Sequence, residues 1–208
     1  MQTTRPARLI LRSISKSFPG RKIFSNIEAE IDSGTCLVIT GPNGSGKSTL
    51  LRIICGLLTP SIGKVLLNID NIDFGGADIR PHIGMVSPDL VLYDELTALE
   101  NLSFFGKVSG NNFPLDNLNE RLTEVGLNGR GNDLVGSYSS GMRQRLKYCL
   151  ALLRKPILLL LDEPTSNLDD AGKEFVKAVV KNHDGILVIA TNEKSEWSYG
   201  QKIIRLGE

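Results

Sequence analysis

The sequence contains no apolar stretch approaching the roughly 20 residues that cross a bilayer, and its start, MQTTRPARLILRS, lacks the apolar core of about 7 to 15 residues found in a secretory leader. The expectation is a chain that is soluble by itself. Cysteine is scarce: Cys36, Cys55 and Cys149 are three, widely spaced, each within an apolar stretch, and no C-x-x-C pair occurs. That excludes a disulfide framework and fits reduced core residues in a cytosolic protein. An excess of one charge is also missing. Twenty-four basic residues face twenty-three acidic ones, for a net charge of +1, and no Lys/Arg run marks a nucleic-acid footprint, so no nucleic-acid partner is expected. Internal repeats and low-complexity tracts are absent, and the two histidines, His82 and His183, belong to no motif and read as exposed or structural.

What is present is an alternation of short β-like runs with helical patterns over 208 residues, which points to an α/β layer fold. Leu9 to Ile14 and Ile23 to Ile31 alternate apolar with polar residues, as half-exposed antiparallel strands do; Ile23, Ser25, Ile27, Ala29 and Ile31 are expected on one face. Cys36 to Thr40 (CLVIT), Ile157 to Leu161 (ILLLL) and Ile186 to Ala190 (ILVIA) are apolar throughout, as expected of parallel strands covered on both faces. Between them, Thr97 to Ser109 opens with a capping-box spacing (Thr97, Glu100), a second helix is predicted from Leu115 to Val125 with Gly126 as its cap, and a third from near Gly141 to Pro156. Residues from about 90 to 150 therefore look like a helical insert into a parallel-sheet core.

The strand CLVIT runs into GPNGSGKST (Gly41, Pro42, Asn43, Gly44, Ser45, Gly46, Lys47, Ser48, Thr49) and then the helical TLLRIICGLL. Strand, glycine-rich turn and helix in that order turn successive backbone N–H groups and a helix N-terminus onto one anion. Lys47 would reach the β- and γ-phosphates of a nucleotide and the Ser48 hydroxyl would hold Mg²⁺. An N-K-x-D guanine reader is missing, since Asn192-Glu193-Lys194 lacks its Asp, so ATP is favoured over GTP. Phe18 is a candidate to stack on the adenine.

The aliphatic strand ILLLL ends in Asp162 and Glu163. An Asp at the C-terminal edge of a parallel sheet lies beside the phosphate loop, where Mg²⁺ would offset the cost of its burial. Glu163, one residue on, can polarise a water for attack on the γ-phosphorus.

Taken with SYSSGMRQRL upstream, these segments resemble the ATP-binding cassette (ABC) transporter ATPases over about residues 9 to 206. ILLLLDEPTSNLD is similar to that family's Walker B strand and D-loop (Ser166 to Asp169), and SYSSGMRQRL to its LSGGQ-x-QR signature, with Ser139, Ser140, Gly141 and Met142 at the central positions. The resemblance implies a P-loop NTPase core of about residues 1–88 and 151–208 with an N-terminal antiparallel β subdomain, and a helical subdomain of about residues 89–150. It implies ATP and Mg²⁺ as cofactors and a head-to-tail dimer in which the signature serine of one copy faces the γ-phosphate of the other, with Asp169 in the D-loop. It further implies a transmembrane permease as partner and a place on the inner face of the cell membrane. The short length and the signature look most similar to exporter-type subunits, including haem exporters.

Two positions depart from the family. Its Gln between core and insert falls at Pro88, whose side chain can donate nothing, and its His after the strand ILVIAT falls at Asn192, which lacks the positive charge. Asn192 joins Glu163 as a catalytic candidate. The departures also leave room for a chain that hydrolyses ATP poorly and uses it to switch dimer state. A soluble ABC ATPase acting on DNA or ribosomes fits less well, given the near-neutral charge and the single cassette.

Overall fold

The computed structural model describes residues 5–166 and 168–207, so the first four residues and position 167 of the D-loop lie outside the described residues. The chain opens with β1 (Ala7–Phe18) and β2 (Arg21–Asp32), then β3 (Cys36–Thr40) and α1 (Lys47–Ile54), followed by β4 (Ile62–Ile69), β5 (Ile72–Gly75) and β6 (Ile83–Val86). Three helices come next: α2 (Ala98–Val108), α3 (Leu115–Glu124) and α4 (Ser140–Leu152). The chain then returns through β7 (Leu158–Asp162), α5 (Asp170–Asn182), β8 (Ile186–Ala190) and β9 (Lys202–Arg205). Two sheets result, an antiparallel one of order β2-β1-β4-β5 and a parallel one of order β6-β7-β8-β3-β9. The expected α/β class, with an N-terminal antiparallel sheet and a parallel core, is what forms.

The continuous apolar character of β7 follows from its place between β6 and β8. Leu158 and Leu160 pack toward α1 and the antiparallel sheet, whereas Leu159 and Leu161 pack toward Tyr148 of α4 and Val176 of α5. Both faces are covered, so neither parity can be polar. Replacing Leu160 by Ala removes a side chain with no exposed surface, and we expect a loss of about 2–5 kcal/mol in a urea melt. The three cysteines are buried and free, as expected.

Helix α2 begins as its spacing predicts. The Thr97 side chain accepts from the Glu100 amide and the Glu100 carboxylate from the Thr97 amide, closing a capping box. Helices α2, α3 and α4 surround a cluster of their own that includes Leu102, Leu118, Leu122 and Leu146.

The expected face of β2 does not persist along the strand. Asn26 adopts a left-handed backbone (φ 52°), and the pairing with β1 shifts around Ile14. This bulge reverses parity, so Phe24 is the buried residue before it and Ile31 after it, with Ile23 only half-buried. His82 packs against Phe74 with ring centroids 4.4 Å apart and planes tilted by 56°, and His183 follows the last residue of α5.

Candidate functional site

Three parallel strands end at one level, with Asp162 of β7 opposite Ala190 of β8 and Ala190 opposite Ile39 of β3. The segments that follow, beginning at Gly41, Glu163 and Thr191, therefore leave the same sheet edge, where ligands of open α/β sheets collect.

After β3 the chain turns with Gly41 (φ 149°) and Gly46 (φ 104°) in backbone conformations closed to side chains. A Cβ at Gly41 would lie 2.3 Å from the Leu206 carbonyl oxygen, and one at Gly46 would lie 2.4 Å from Ile23 Cγ2. The loop is thus seated between β9 and β2, and only glycine fits at either contact. Gly46 caps α1 with no side-chain hydrogen bond and no acid lies in the first turn, so the leading N–H groups of α1 are free to meet an anion. The Ser45 hydroxyl, buried and without a partner, lies in the same turn. Pro42, Asn43 and Gly44 are exposed, Ser48 and Thr49 half-buried.

Lys47 is almost fully covered. Its Nζ donates to the Gly41 carbonyl (3.0 Å) and to Asn192 Oδ1 (2.8 Å), and it lies 3.5 Å from Glu163 Oε1. Asn192 in turn donates through Nδ2 to Asn43 Oδ1 (2.6 Å), and its backbone N–H points at Glu163 Oε2 (3.4 Å). The structure therefore brings together Asn43, Lys47, Glu163 and Asn192. Glu163 has a left-handed backbone (φ 48°), a conformation that costs a non-glycine residue of order 1–3 kcal/mol and is found where a site over-determines it. Its N–H bonds to the Ala190 carbonyl (2.8 Å), which pins that turn to β8.

Asp162, only 6% exposed, has one carboxylate oxygen, Oδ1, with no hydrogen-bond partner. Burial lifts its carboxyl above the ordinary carboxylate value; the Ser48 hydroxyl opposes this, the Glu163 charge adds to it, and the Lys47 charge opposes it. An orphaned buried carboxylate oxygen beside a hydroxyl fits a hard cation with oxygen ligands, and Ser48 and Asp162 are the residues that would hold Mg²⁺.

Phe18 ends β1 at the hairpin tip, 45% exposed, with the Lys16 ammonium 4.9 Å from the ring centroid on one face. Its cross-strand neighbour Arg21 reaches the Gly44 carbonyl (3.3 Å) and ties this hairpin to the loop. No sequence signal singles out Arg21, because only the pairing of β1 with β2 turns it toward the loop.

Ser139 caps α4, its hydroxyl accepting from the Met142 amide (3.2 Å), while Ser140 and Gly141 open the helix and nothing approaches the space beside Gly141. Of these four, Met142 packs on the helical cluster, while Ser139 and Ser140 are exposed. Asp169 caps α5 by accepting from the Gly172 amide (2.8 Å). Pro88 is exposed, and its carbonyl accepts from Lys147 Nζ of α4 (3.2 Å). A lysine from the signature helix thus holds the loop in which the side chain of residue 88 can make no such bond.

The chain is similar to known proteins over most of its length. The pattern of the ABC transporter family matches residues 24–166. The chain is 34% identical over 188 residues to the linearmycin resistance ATP-binding protein LnrL of Bacillus subtilis, covering 88% of this chain and 60% of that protein. It is 36% identical over 188 residues to the cytochrome c biogenesis ATP-binding export protein CcmA of Mesorhizobium japonicum, covering 89% and 92%. Relatives named for Fe(3+) import, such as one from Brucella suis, are matched at 32% identity. The chain spans 60%, 55%, 61% and 63% of the length of four Bacillus subtilis relatives. A bacterial ABC transporter cassette solved as a dimer superposes with a TM-score of 0.81 at 29% identity, covering 95% of this chain and 94% of that one. Fold, family pattern and relatives coincide: this chain belongs to the ABC transporter family and is an ATP-binding cassette.

Proposed function

We propose that the chain is the ATP-hydrolysing subunit of an ABC transporter and drives a separate membrane-spanning chain. The observation that carries this is the meeting of Lys47, Glu163 and Asn192 at the uncapped N-terminus of α1. In this reading the amides of residues 43–49 and the Lys47 ammonium hold the phosphates, and the uncovered face of Phe18 stacks on the adenine, worth about 1–3 kcal/mol. Mg²⁺ held by Ser48 and Asp162 would neutralise charge on the β- and γ-phosphates. When Lys47 turns to the γ-phosphate it leaves Glu163, whose carboxylate is then free to accept the proton of the attacking water. Asn192 stays beside both, donating where a partly developed charge needs a hydrogen bond.

The core of about residues 1–88 and 151–208 carries this half of the site, and the helical unit of about residues 89–150 carries the other half. Ser139, Ser140, Gly141 and Met142, at a helix N-terminus, complete the site of a second copy in a head-to-tail dimer, with Asp169 at the D-loop between the copies. The membrane partner docks on the helical unit. Val91, Tyr93, Phe104 and Val108 are exposed there, and Tyr93 lies edge-on to Phe104 at 5.2 Å. Exposed apolar side chains gathered in this way mark a protein contact. No helix among the described residues is long and apolar enough to cross a membrane, so this reading gives the chain a peripheral place on the cytoplasmic face through its partner. Exporter type, with haem or drug-like cargo, is favoured by the relatives named for resistance and export.

A second reading, an ATP-driven dimer switch with little hydrolysis, is favoured by Pro88 and Asn192. Phosphate release by the natural chain and by Glu163→Gln distinguishes the two: a natural rate well above that of the variant upholds hydrolysis, and equal rates uphold the switch. In single-turnover hydrolysis we expect Asn192→His to raise the rate by about 10²-fold, the size of one transition-state donor, without changing which reading holds. A rate for Asn192→His equal to that of the natural chain would mean that Asn192 already does what the histidine would do.

A further inference from the structure

Glu196 is a buried acid that none of the steps above uses. It lies in the 3₁₀ segment Lys194–Tyr199, is 2% exposed, and neither carboxylate oxygen has a full hydrogen bond. Thr165 lines the same cleft as Glu196, and Thr191 is tied to its segment, its hydroxyl accepting from the Glu193 N–H (2.9 Å) while the Glu193 carbonyl accepts from the Glu196 N–H (3.1 Å); both threonine side chains are near the carboxyl. Thr165 is two residues past Glu163, in the turn that joins β7 to α5, and Thr191 immediately precedes Asn192. Around it stand Glu163 and Glu193, with Cys36 of β3, Tyr148 of α4 and Tyr199 within its electrostatic reach. Lys173 and Lys177 of α5 line the adjoining cleft. Burial raises this carboxyl above the ordinary carboxylate range, the two threonine hydroxyls oppose the rise, and the two glutamates add to it.

We propose that Glu196 is a positioning residue for the hydrolytic step, holding the turn that carries Glu163 in register with the loop that carries Asn192 through Thr165 and Thr191. The Asn192 N–H to Glu163 contact, at 3.4 Å, joins two segments that are also linked by the Glu163 N–H to the Ala190 carbonyl and by Lys47, whereas the Thr191 N–H ties the Asn192 loop to the Ile39 carbonyl of β3. The backbone bonds fix the strand ends, and the turn beyond Glu163 is closed by bonds within itself, from the Ser166 N–H to the Glu163 carbonyl and from the Leu168 N–H to the Thr165 carbonyl (each 3.2 Å), which leave its position against the Asn192 loop to side chains. A carboxyl group between two hydroxyls can accept a hydrogen bond from each, which an aliphatic side chain cannot do. As a mere filler of space it would be a poor choice, since an unpartnered buried carboxyl is costly and Met of similar length would pack better.

The inference rests on the hydrolytic reading and is tested with Glu196→Met and Glu196→Gln in the full chain. We expect Met to leave the Tm unchanged or higher and the KM for ATP within about twofold, while kcat falls about tenfold. Gln, which keeps a donor and an acceptor, returns kcat to within about threefold of the natural chain. A Met variant with the natural kcat, or one whose kcat falls only as its Tm falls, overturns the inference. Should the natural chain release phosphate no faster than Glu163→Gln, the hydrolytic reading itself fails. Amide hydrogen exchange of the nucleotide-free protein then decides separately: faster exchange in Glu196→Met confined to residues 163–166 and 191–193 upholds the positioning role, and unchanged exchange there overturns it.

Discussion

Glu163→Gln lowers phosphate release by about 10²- to 10⁴-fold, the contribution of one well-placed general base, and leaves MgATP binding intact. Glutamine has nearly the same shape, so the turn at φ 48° and the N–H bond to Ala190 survive. It cannot accept a proton from water. It also carries no charge, so Lys47 loses the partner now 3.5 Å away and is more available to phosphate. Affinity for MgATP is therefore expected to hold or rise while turnover collapses, and a head-to-tail dimer should persist on size exclusion with ATP. Equilibrium binding and phosphate release on one preparation check this; loss of both together would mean that the variant has damaged the site.

Lys47→Met produces the opposite pattern. It removes the charged donor that now serves Gly41 and Asn192 and that would serve two phosphates. Hydrogen bonds to charged groups contribute about 1.5–3 kcal/mol each, so two of them correspond to a loss of MgATP affinity of about 10²-fold or more. Hydrolysis falls with binding and recovers in part at high ATP. The fold should be almost unaffected, because Met keeps the apolar stem packed and Asn192 remains held by Asn43. Titration of a fluorescent ATP analogue and a thermal melt separate the two effects, and an unchanged affinity would remove Lys47 from the phosphate site.

Much of the site is written in consecutive residues and can be read from them. GPNGSGKST dictates its own conformation, because its glycines permit what other residues cannot and the helix that follows needs no cap from a side chain. The capping box at Thr97 and Glu100 forms for the same reason, its partners being three positions apart. The uninterrupted apolar runs of β3, β7 and β8 announce burial on both faces. By contrast, β4, β5, β6 and β9 do not stand out. Strands of four residues, such as β5, β6 and β9, carry too few positions for a period of two to show, and the consecutive Val65, Leu66 and Leu67 blur that of β4. The reversal of face in β2 was equally hidden, since a bulge at Asn26 depends on the pairing with β1.

The sequence by itself determined the class of fold, the glycine-rich loop ahead of α1 and the two acids at the end of β7, because each is set by local backbone preference or by apolar periodicity. Only the tertiary structure decided which side chains meet. Lys47 and Asn192 are 145 positions apart and Asn43 and Asn192 are 149, and they touch because β8 lies between β7 and β3 with all three ends level. The ties of Arg21 to Gly44 and of Lys147 to Pro88, and the burial of Glu196 behind Glu163, likewise come from strand order and packing. Such contacts leave no trace in spacing, since the loops that separate the partners can be of any length without changing the geometry at the sheet edge.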